Sequence, residues 1–352
     1  MLNPQEYKVL IRCITYNHSQ YITDTLSGFV MQQTDFPFVI AILDDASTDG
    51  AQDKIRSFIS EQFDTEDSNV AYEHETEHAH ISYAQHKTNR NCFVLIHYLK
   101  YNHYQNGKKK LHYVSELRKS VKYETLCEGD DYWTDPLKLQ IQADFMDANP
   151  DYSFCCHRFD IYEQNKDRWL KEYAYDRYLE NRNLEITKEL YSTVWVTQPL
   201  TLMARMSSLD KIESDLKEYR YRRDVHLFYH LLTVGKGISL NRKMGVYRWH
   251  DGGVASSKSG VARFQTAYNI YKELFQKTGD PVFRRSFVKN TIRLIRYKPF
   301  SSDLIHIAKE AWGYSSGWHE KKDILISFIT PLFIVNWITA IYRQRYLADQ
   351  TI

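Results

Sequence analysis

Three acids fall within four residues at Glu128, Asp130 and Asp131, inside the run Glu124 to Gln140 (ETLCEGDDYWTDPLKLQ). Hard oxygen ligands beside the aromatic pair Tyr132 and Trp133 suit a Mg²⁺ or Mn²⁺ ion that holds phosphates. The same residues suit an acidic turn that caps a helix beginning near Asp135 and Pro136, with Asp at the N-cap and Pro in the first helical position. The two readings are compatible, and the rest of the chain decides how the acids are used.

Acids can converge on a ligand only if secondary structure brings them together. Lys8 to Ile14 (KVLIRCI) is a short run rich in β-branched residues, followed by the turn-like TYNHSQ and by apolar residues at helical spacing from Gln20 to Gln32. Phe38 to Leu43 (FVIAIL) is a second buried strand that stops at Asp44, Asp45, Ala46, Ser47, Thr48, Asp49 and Gly50, and Gln52 to Ser60 then reads as helix. A βαβα beginning implies a parallel sheet covered by helices, an α/β fold. Ligands of such open sheets bind beyond the carboxyl ends of the strands. The loops at Thr15 to Asn17, Asp44 to Asp49 and Glu128 to Asp131 are all expected at that edge.

Elsewhere the pattern is weaker. Glu61 to Lys122 shows little periodicity apart from Asn91 to Tyr101 (NCFVLIHYLKY), which reads as a helix. His74, His78, His80 and His86 lack a recognised metal-ligand spacing and read as surface or loop residues. Lys138 to Ala148 continues the helix after the acids, Ser153 to His157 reads as a strand, and Val194 to Ala204 marks a further ordered element.

The chain has 352 residues, enough for one large domain and a C-terminal appendage without covalent staples. Its 46 basic and 44 acidic residues leave a formal charge of +2, which argues against a nucleic-acid partner. The five cysteines, Cys13, Cys92, Cys127, Cys155 and Cys156, are an odd number without CxxC spacing, so a disulfide framework and a structural zinc site are not indicated. No secretory signal pattern precedes the first strand, and the expected location is cytoplasmic.

Taken in order, ITYNHSQYI, ILDDASTDG and CEGDDYWTDPLKLQ resemble the inverting family-two glycosyltransferases of GT-A fold, a Rossmann-like, mostly parallel sheet flanked by helices. The resemblance continues through TQPLTLMAR, RRDVHLFYHLLTVGKGISL and YRWHDGGVASS, over roughly the first 255 residues. It implies a nucleotide-sugar donor, with Thr15, Tyr16, Asn17, Asp44 and Asp45 around the nucleotide. Tyr16 would stack on the base and Asp44 or Asp45 would accept the imide proton of uracil, which makes a UDP-sugar the expected donor. It implies a DXD-like metal site at Glu128, Asp130 and Asp131 with His250, Asp130 being the main ligand, since Glu128 departs from a strict DXD. Arg248 would meet phosphate. Asp224 matches the family's general base, and its neighbours Arg222 and Arg223 are expected to lower its pKa. Trp133, Trp195 and Gln198 are assigned to the acceptor groove, because sugars stack apolar faces on aromatic rings. The acceptor is expected to be a hydroxyl of a surface glycan or a lipid-linked glycan. A sugar nucleotidyltransferase, or a non-catalytic glycan-binding scaffold of the same fold, remains the alternative; the first would carry a Gly-rich basic loop where this chain has TYNHSQ.

The sequence division is a glycosyltransferase domain at 1–258 and a helical region at 259–352. Ile324 to Ile341 (ILISFITPLFIVNWITAI) has no charged residue and is flanked by Lys321, Lys322, Arg343 and Arg345. Divided by Pro331, it reads as a helix pair lying in the interface at the inner face of the cytoplasmic membrane. A buried helix or a homodimer contact is equally open. Helices within Phe264 to Lys298 carry Arg284, Arg285, Lys289, Arg293, Arg296 and Lys298 and extend the basic character.

Overall fold

In a computed structural model, the structure describes residues 6–170, 182–193, 196–253, 260–297, 303–330 and 334. The chain separates into two compact units, 1–217 with 227–250, and 218–226 with 251–352.

The first unit is built on one mixed sheet. Its parallel centre starts with β1 (Val9–Thr15) and β2 (Phe38–Asp44), joined by α1 (Ile22–Val30) and followed by α2 (Ala51–Gln62). Small strands β3 (Phe63–Asp64) and β4 (Tyr72–Glu75) precede β5 (Ala79–His86) and β6 (Cys92–Leu99). After α3 (Ser115–Ser120) come β7 (Tyr123–Leu126), β8 (Tyr132–Trp133), α4 (Lys138–Ala148) and β9 (Tyr152–Glu163). The remaining strands are β10 (Arg168–Trp169), β11 (Leu184–Ile186), β12 (Met203–Arg205) and β13 (Lys236–Trp249). The main path across the sheet is β11-β13-β9-β12-β7-β1-β2-β6-β5-β3.

Register places the chemistry. β1 runs parallel to β2, with Thr15 opposite Asp44, and parallel to β7, with Arg12 opposite Leu126. Because β7, β1 and β2 point the same way, the segments that follow Leu126, Thr15 and Asp44 leave from one edge of the sheet. β2 is buried along its whole length, as a strand covered on both faces must be. α1 packs its Ile22, Leu26 and Phe29 inward and comes so close to β8 that a Cβ on Gly28 would lie 2.8 Å from the Trp133 nitrogen.

Asn91 to Tyr101 is a strand, not the expected helix: β6 lies parallel to β2 and antiparallel to β5, and every residue from Cys92 to Leu99 is buried. A continuous apolar run carries neither the strand nor the helix period, and here burial on both faces removed the alternation that would have marked it. The helix expected from Asp135 begins at Lys138 instead; Asp135 accepts the Leu137 N–H at 3.0 Å in the turn before it. Of the four histidines expected on the surface or in loops, His74 is exposed on β4 and His80 lies on β5, whereas His86 at the end of β5 is buried and accepts the Asn89 N–H at 3.0 Å. All five cysteines are free and buried, and burial raises the Cys13 and Cys127 thiols.

The second unit is helical among its described residues, with Gly260–Thr278, Pro281–Tyr297, Asp303–Tyr314 and Trp318–Ile329 around Phe287, Val288, Leu294, Ile295 and Leu304. Of the segment 324–341, residues 331–333 and 335–341 lie outside the described residues, as do Arg343 and Arg345. No helix among the described residues is long and apolar enough to cross a membrane.

Candidate functional site

The acid loop after β7 is held against β1 by its backbone. The Gly129 N–H donates to the Ile14 carbonyl at 3.1 Å, and the Thr25 hydroxyl meets the Gly129 and Asp131 carbonyls at 3.1 and 2.7 Å. Only glycine fits at 129, since a Cβ there would lie 2.7 Å from Thr15 Cβ. This close approach brings Asp130 to the carboxyl end of β1.

There Asp130 Oδ2 is hydrogen-bonded to His250 Nε2 at 3.0 Å and faces His18 Nε2 at 3.8 Å. Asp130 Oδ1 is buried without a hydrogen-bond partner. His18 is steadied by Thr15, whose hydroxyl lies 3.3 Å from its Nδ1, and Tyr21 packs on the His250 ring with centroids 4.7 Å apart. Burial opposes charge on Asp130, but the His250 hydrogen bond and the two imidazoles hold its carboxyl below the usual value. Burial lowers the His18 pKa, against the pull of Asp130.

Asp131 behaves in the opposite way. Burial and the neighbouring Asp130 push its carboxyl well up, while its Oδ1 accepts the Arg248 N–H at 2.8 Å. Two adjacent carboxyls in one buried turn cannot both ionise cheaply, so the one beside the imidazoles keeps the charge. Arg248 is committed to this architecture rather than to a free phosphate position. Its Nε donates to the Asp130 carbonyl at 2.9 Å, its two terminal nitrogens reach Gln164 Oε1 at 2.9 Å and Asp24 Oδ2 at 2.8 Å, and Tyr21 and Tyr132 flank it.

The other two loops are also brought to this edge and tied to one another. Asn17, in the left-handed region at φ 55°, accepts the Thr48 N–H on its side chain at 2.8 Å and donates its own N–H to Ser47 Oγ at 2.9 Å. Asp44 is buried under Ser47 and Gln52, the latter donating to it at 2.6 Å. Asp45 is buried too and takes the His103 and Tyr104 N–H groups at 2.7 and 3.1 Å and the Lys110 ammonium at 2.5 Å. Both acids therefore spend their oxygens on loop structure in this conformation. Tyr16 stands half-buried between these anchor points in sequence, directly after β1.

Other expected residues are placed elsewhere. Glu128 is exposed. Among the described residues no three His, Cys, Asp or Glu side chains are gathered closely enough to hold a metal by themselves. Trp133 is 2% exposed, its Nε1 donates to the Leu200 carbonyl at 2.8 Å, it meets the Phe29 ring edge-on and the Lys138 ammonium lies over its face, so it is a core residue rather than an acceptor wall. Gln198 is buried at the start of the turn Pro199–Thr201, and Trp195 lies outside the described residues. Asp224 belongs to the second unit, at the first residue of helix Asp224–Val234, and is exposed. Contrary to the expectation from its arginines, desolvation by surrounding protein moves its pKa upward; the Val225 N–H and Arg223 act the other way without prevailing. Access to water limits that shift.

Sequence reasoning missed His18 and Lys110. His18 carried a signal, being three residues after Thr15 in the same turn, whereas nothing local links Lys110 to Asp45, which is 65 residues away.

No family model matches the chain. It is similar to an uncharacterized protein of Mycobacterium bovis and to two of Mycobacterium tuberculosis, each 28% identical over 249 residues, which cover 68% of this chain. The chain spans 58% of the length of those curated relatives. Among solved structures it is similar to the 1-349 portion of S. aureus TarS in complex with UDP-GlcNAc, with a TM-score of 0.51 and 16% identity over 91% of this chain and 79% of that one. The likeness is one of fold: a mixed α/β sheet flanked by helices, as in GT-A glycosyltransferases, followed by C-terminal helices.

Proposed function

We propose that this chain is a metal-dependent, inverting glycosyltransferase of family two. It passes a sugar from a nucleotide donor, a UDP-sugar, to a hydroxyl of a glycan or lipid-linked glycan during surface-polysaccharide synthesis at the cytoplasmic face of the membrane. The observation that carries the reading is Asp130, set between His18 and His250 at the carboxyl ends of β1 and β7 with one buried, unpartnered oxygen, in a GT-A fold.

Those residues suit Mn²⁺ or Mg²⁺. A carboxylate oxygen without a partner and an adjacent imidazole make an incomplete ligand set, and such ions commonly complete their shell with substrate phosphates and water. A divalent cation held there would neutralise the charge that develops on the departing diphosphate. Asp131 and Arg248 keep Asp130 in place through backbone and side-chain hydrogen bonds. Tyr16 supplies a ring for the base. Asp45 meets the base by exchanging the Lys110 ammonium for the imide N–H.

In the transfer itself the acceptor oxygen bonds to the anomeric carbon, the bond to the diphosphate breaks on the opposite side, and the acceptor proton goes to Asp224. Support for Asp224 is the match of RRDVHLF to the family motif and its exposure, which leaves its carboxylate open to an acceptor hydroxyl.

Thermal unfolding with Mn²⁺ and UDP, GDP, CMP or dTDP in turn tests the proposal. Stabilisation by Mn²⁺ with UDP, absent in Asp130→Ala, is the expected result. No response to any nucleotide would reject the donor site.

A further inference from the structure

We propose that the ribbon β10-β9-β13-β8 presents a pyranose-stacking subsite for the acceptor glycan, with Tyr162 and Trp169 as its aromatic floor and Asp160 and Lys243 as its hydrogen-bonding rim. This rests on the transferase reading and supplies the acceptor contact that Trp133, buried in the core, does not.

Register puts these side chains on one face. Tyr162 lies opposite Arg248 of β13 on one side and opposite Trp169 of β10 on the other. Residues directly opposite in a sheet point the same way, and so do residues two apart along a strand. Asp160 therefore shares the face of Tyr162, and its own partner Val246 lies opposite Tyr132 of β8. The contacts agree. The Lys243 ammonium meets the Asp160 carboxylate, the Tyr162 and Trp169 ring centroids are 4.9 Å apart, and the Arg248 guanidinium lies over the Tyr132 ring. Arg248 is also the residue whose Nε holds the Asp130 carbonyl, so the face is continuous with the candidate donor site. Trp169 stands two strand spacings, about 10 Å, across the sheet from Arg248.

The rings are presented to water on a fixed support. Trp169 is 54% exposed. The hairpin that carries it is fastened by the Tyr162 hydroxyl on Asp167, by Glu163 with Lys166 and Arg168 at 2.6 Å each, and by Gln164 Oε1, which accepts from Arg248 at 2.9 Å. A floor held in this way loses little conformational freedom when a ligand lands on it.

The chemistry of the face selects the occupant. A sugar ring offers an apolar C–H face to an aromatic ring and hydroxyls that both donate and accept. Beside the rings, Asp160 accepts and Lys243 donates. Lys243 and Arg248 are each paired with a carboxylate, Asp160 and Asp24, which suits neither a phosphate backbone nor an anionic lipid surface. A sugar bound here lies next to the site in which its hydroxyl is to react.

Saturation-transfer NMR of the full chain with cellotetraose, chitotetraose and mannotetraose tests it. An aromatic floor tolerates a change at one hydroxyl, so transfer to the ring protons of at least one of the three is expected. Trp169→Ala and Tyr162→Ala should each weaken that contact about five- to tenfold, whereas Trp169→Phe, which keeps a ring, retains most of it. All variants must keep the wild-type circular dichroism spectrum. The inference is overturned if none of the three sugars shows transfer or if the folded alanine variants respond like wild type. It is also overturned if light scattering shows a dimer that the variants dissociate while no sugar is bound. Thermal stabilisation by Mn²⁺ with UDP is read on the same wild-type sample. Its absence rejects the transferase reading, whereas its presence without sugar contact rejects this inference alone.

Discussion

Asp130 and His250, 120 residues apart in the chain, meet at 3.0 Å and join the loop after β7 to the end of β13. Because the second Asp130 oxygen is buried and unpartnered, the pair is poised for one more positive partner.

If that partner is a divalent cation, Asp130→Asn should abolish Mn²⁺ binding in the presence of UDP. His250→Ala and His18→Ala should each weaken it by about 10- to 100-fold, as loss of a ligand's neighbours does. Calorimetric Mn²⁺ titrations of the three variants measure this directly. Wild-type affinity in His18→Ala would leave that residue with a purely structural role.

Gly129→Ala places a methyl group against the Thr15 side chain, with no slack because Gly129 is also tied to Ile14. A loss of about 1–3 kcal/mol is expected from the overpacking, with UDP and Mn²⁺ binding falling further than stability. Urea unfolding and nucleotide titration on the same sample separate the two effects, and an unchanged midpoint would contradict the close approach.

Arg248→Lys keeps a charge but cannot reach Asp130, Gln164 and Asp24 together, since one ammonium cannot span what the guanidinium fork holds. The expected cost is roughly 1.5–3 kcal/mol for a lost charged hydrogen bond. Donor affinity should fall with it, as Asp130 is no longer braced. A variant as stable as wild type but weak in nucleotide binding would instead indicate direct phosphate contact.

Lys138 gives the chain an alkaline pH signature. It is fully buried at the start of α4, over the Trp133 ring and within 2.7 Å of Gln142 Oε1 and 3.1 Å of Thr125 Oγ1, and burial pulls its pKa down to about 7. Unfolded, it returns to ~10.4, so between these values only the unfolded chain binds the proton. Stability from this group therefore rises from pH 7 to about 10, by at most about 1.4 kcal/mol per pH unit, and the penalty is fully present below pH 7. Denaturant titrations of wild type and Lys138→Met across that range should diverge in slope. Parallel curves would show that the lysine stays charged inside.

What could be read from the chain depended on local period. β1, β2, α1, α2 and α4 fall close to where their apolar spacing puts them, because each has one buried face or a short β-branched run bounded by turn residues. The order of the three loops after β1, β2 and β7 was equally legible, since parallel strands deliver their carboxyl ends to a common edge. β6 was not, because burial on both faces erased its alternation.

The sequence by itself determined the fold class and the grouping of Thr15, Asp44 and Asp130, since chain order and strand direction suffice for both. Only the tertiary structure decided how each acid is used: Asp130 between two imidazoles, Asp131 on the Arg248 N–H, Asp44 under Ser47 and Asp45 under Lys110. It also put Trp133 in the core and Asp224 in the second unit. Those outcomes rest on contacts such as that of Lys110 with Asp45, formed by side chains distant in sequence, and burial sets whether a carboxylate is spent inside the fold or kept for a ligand.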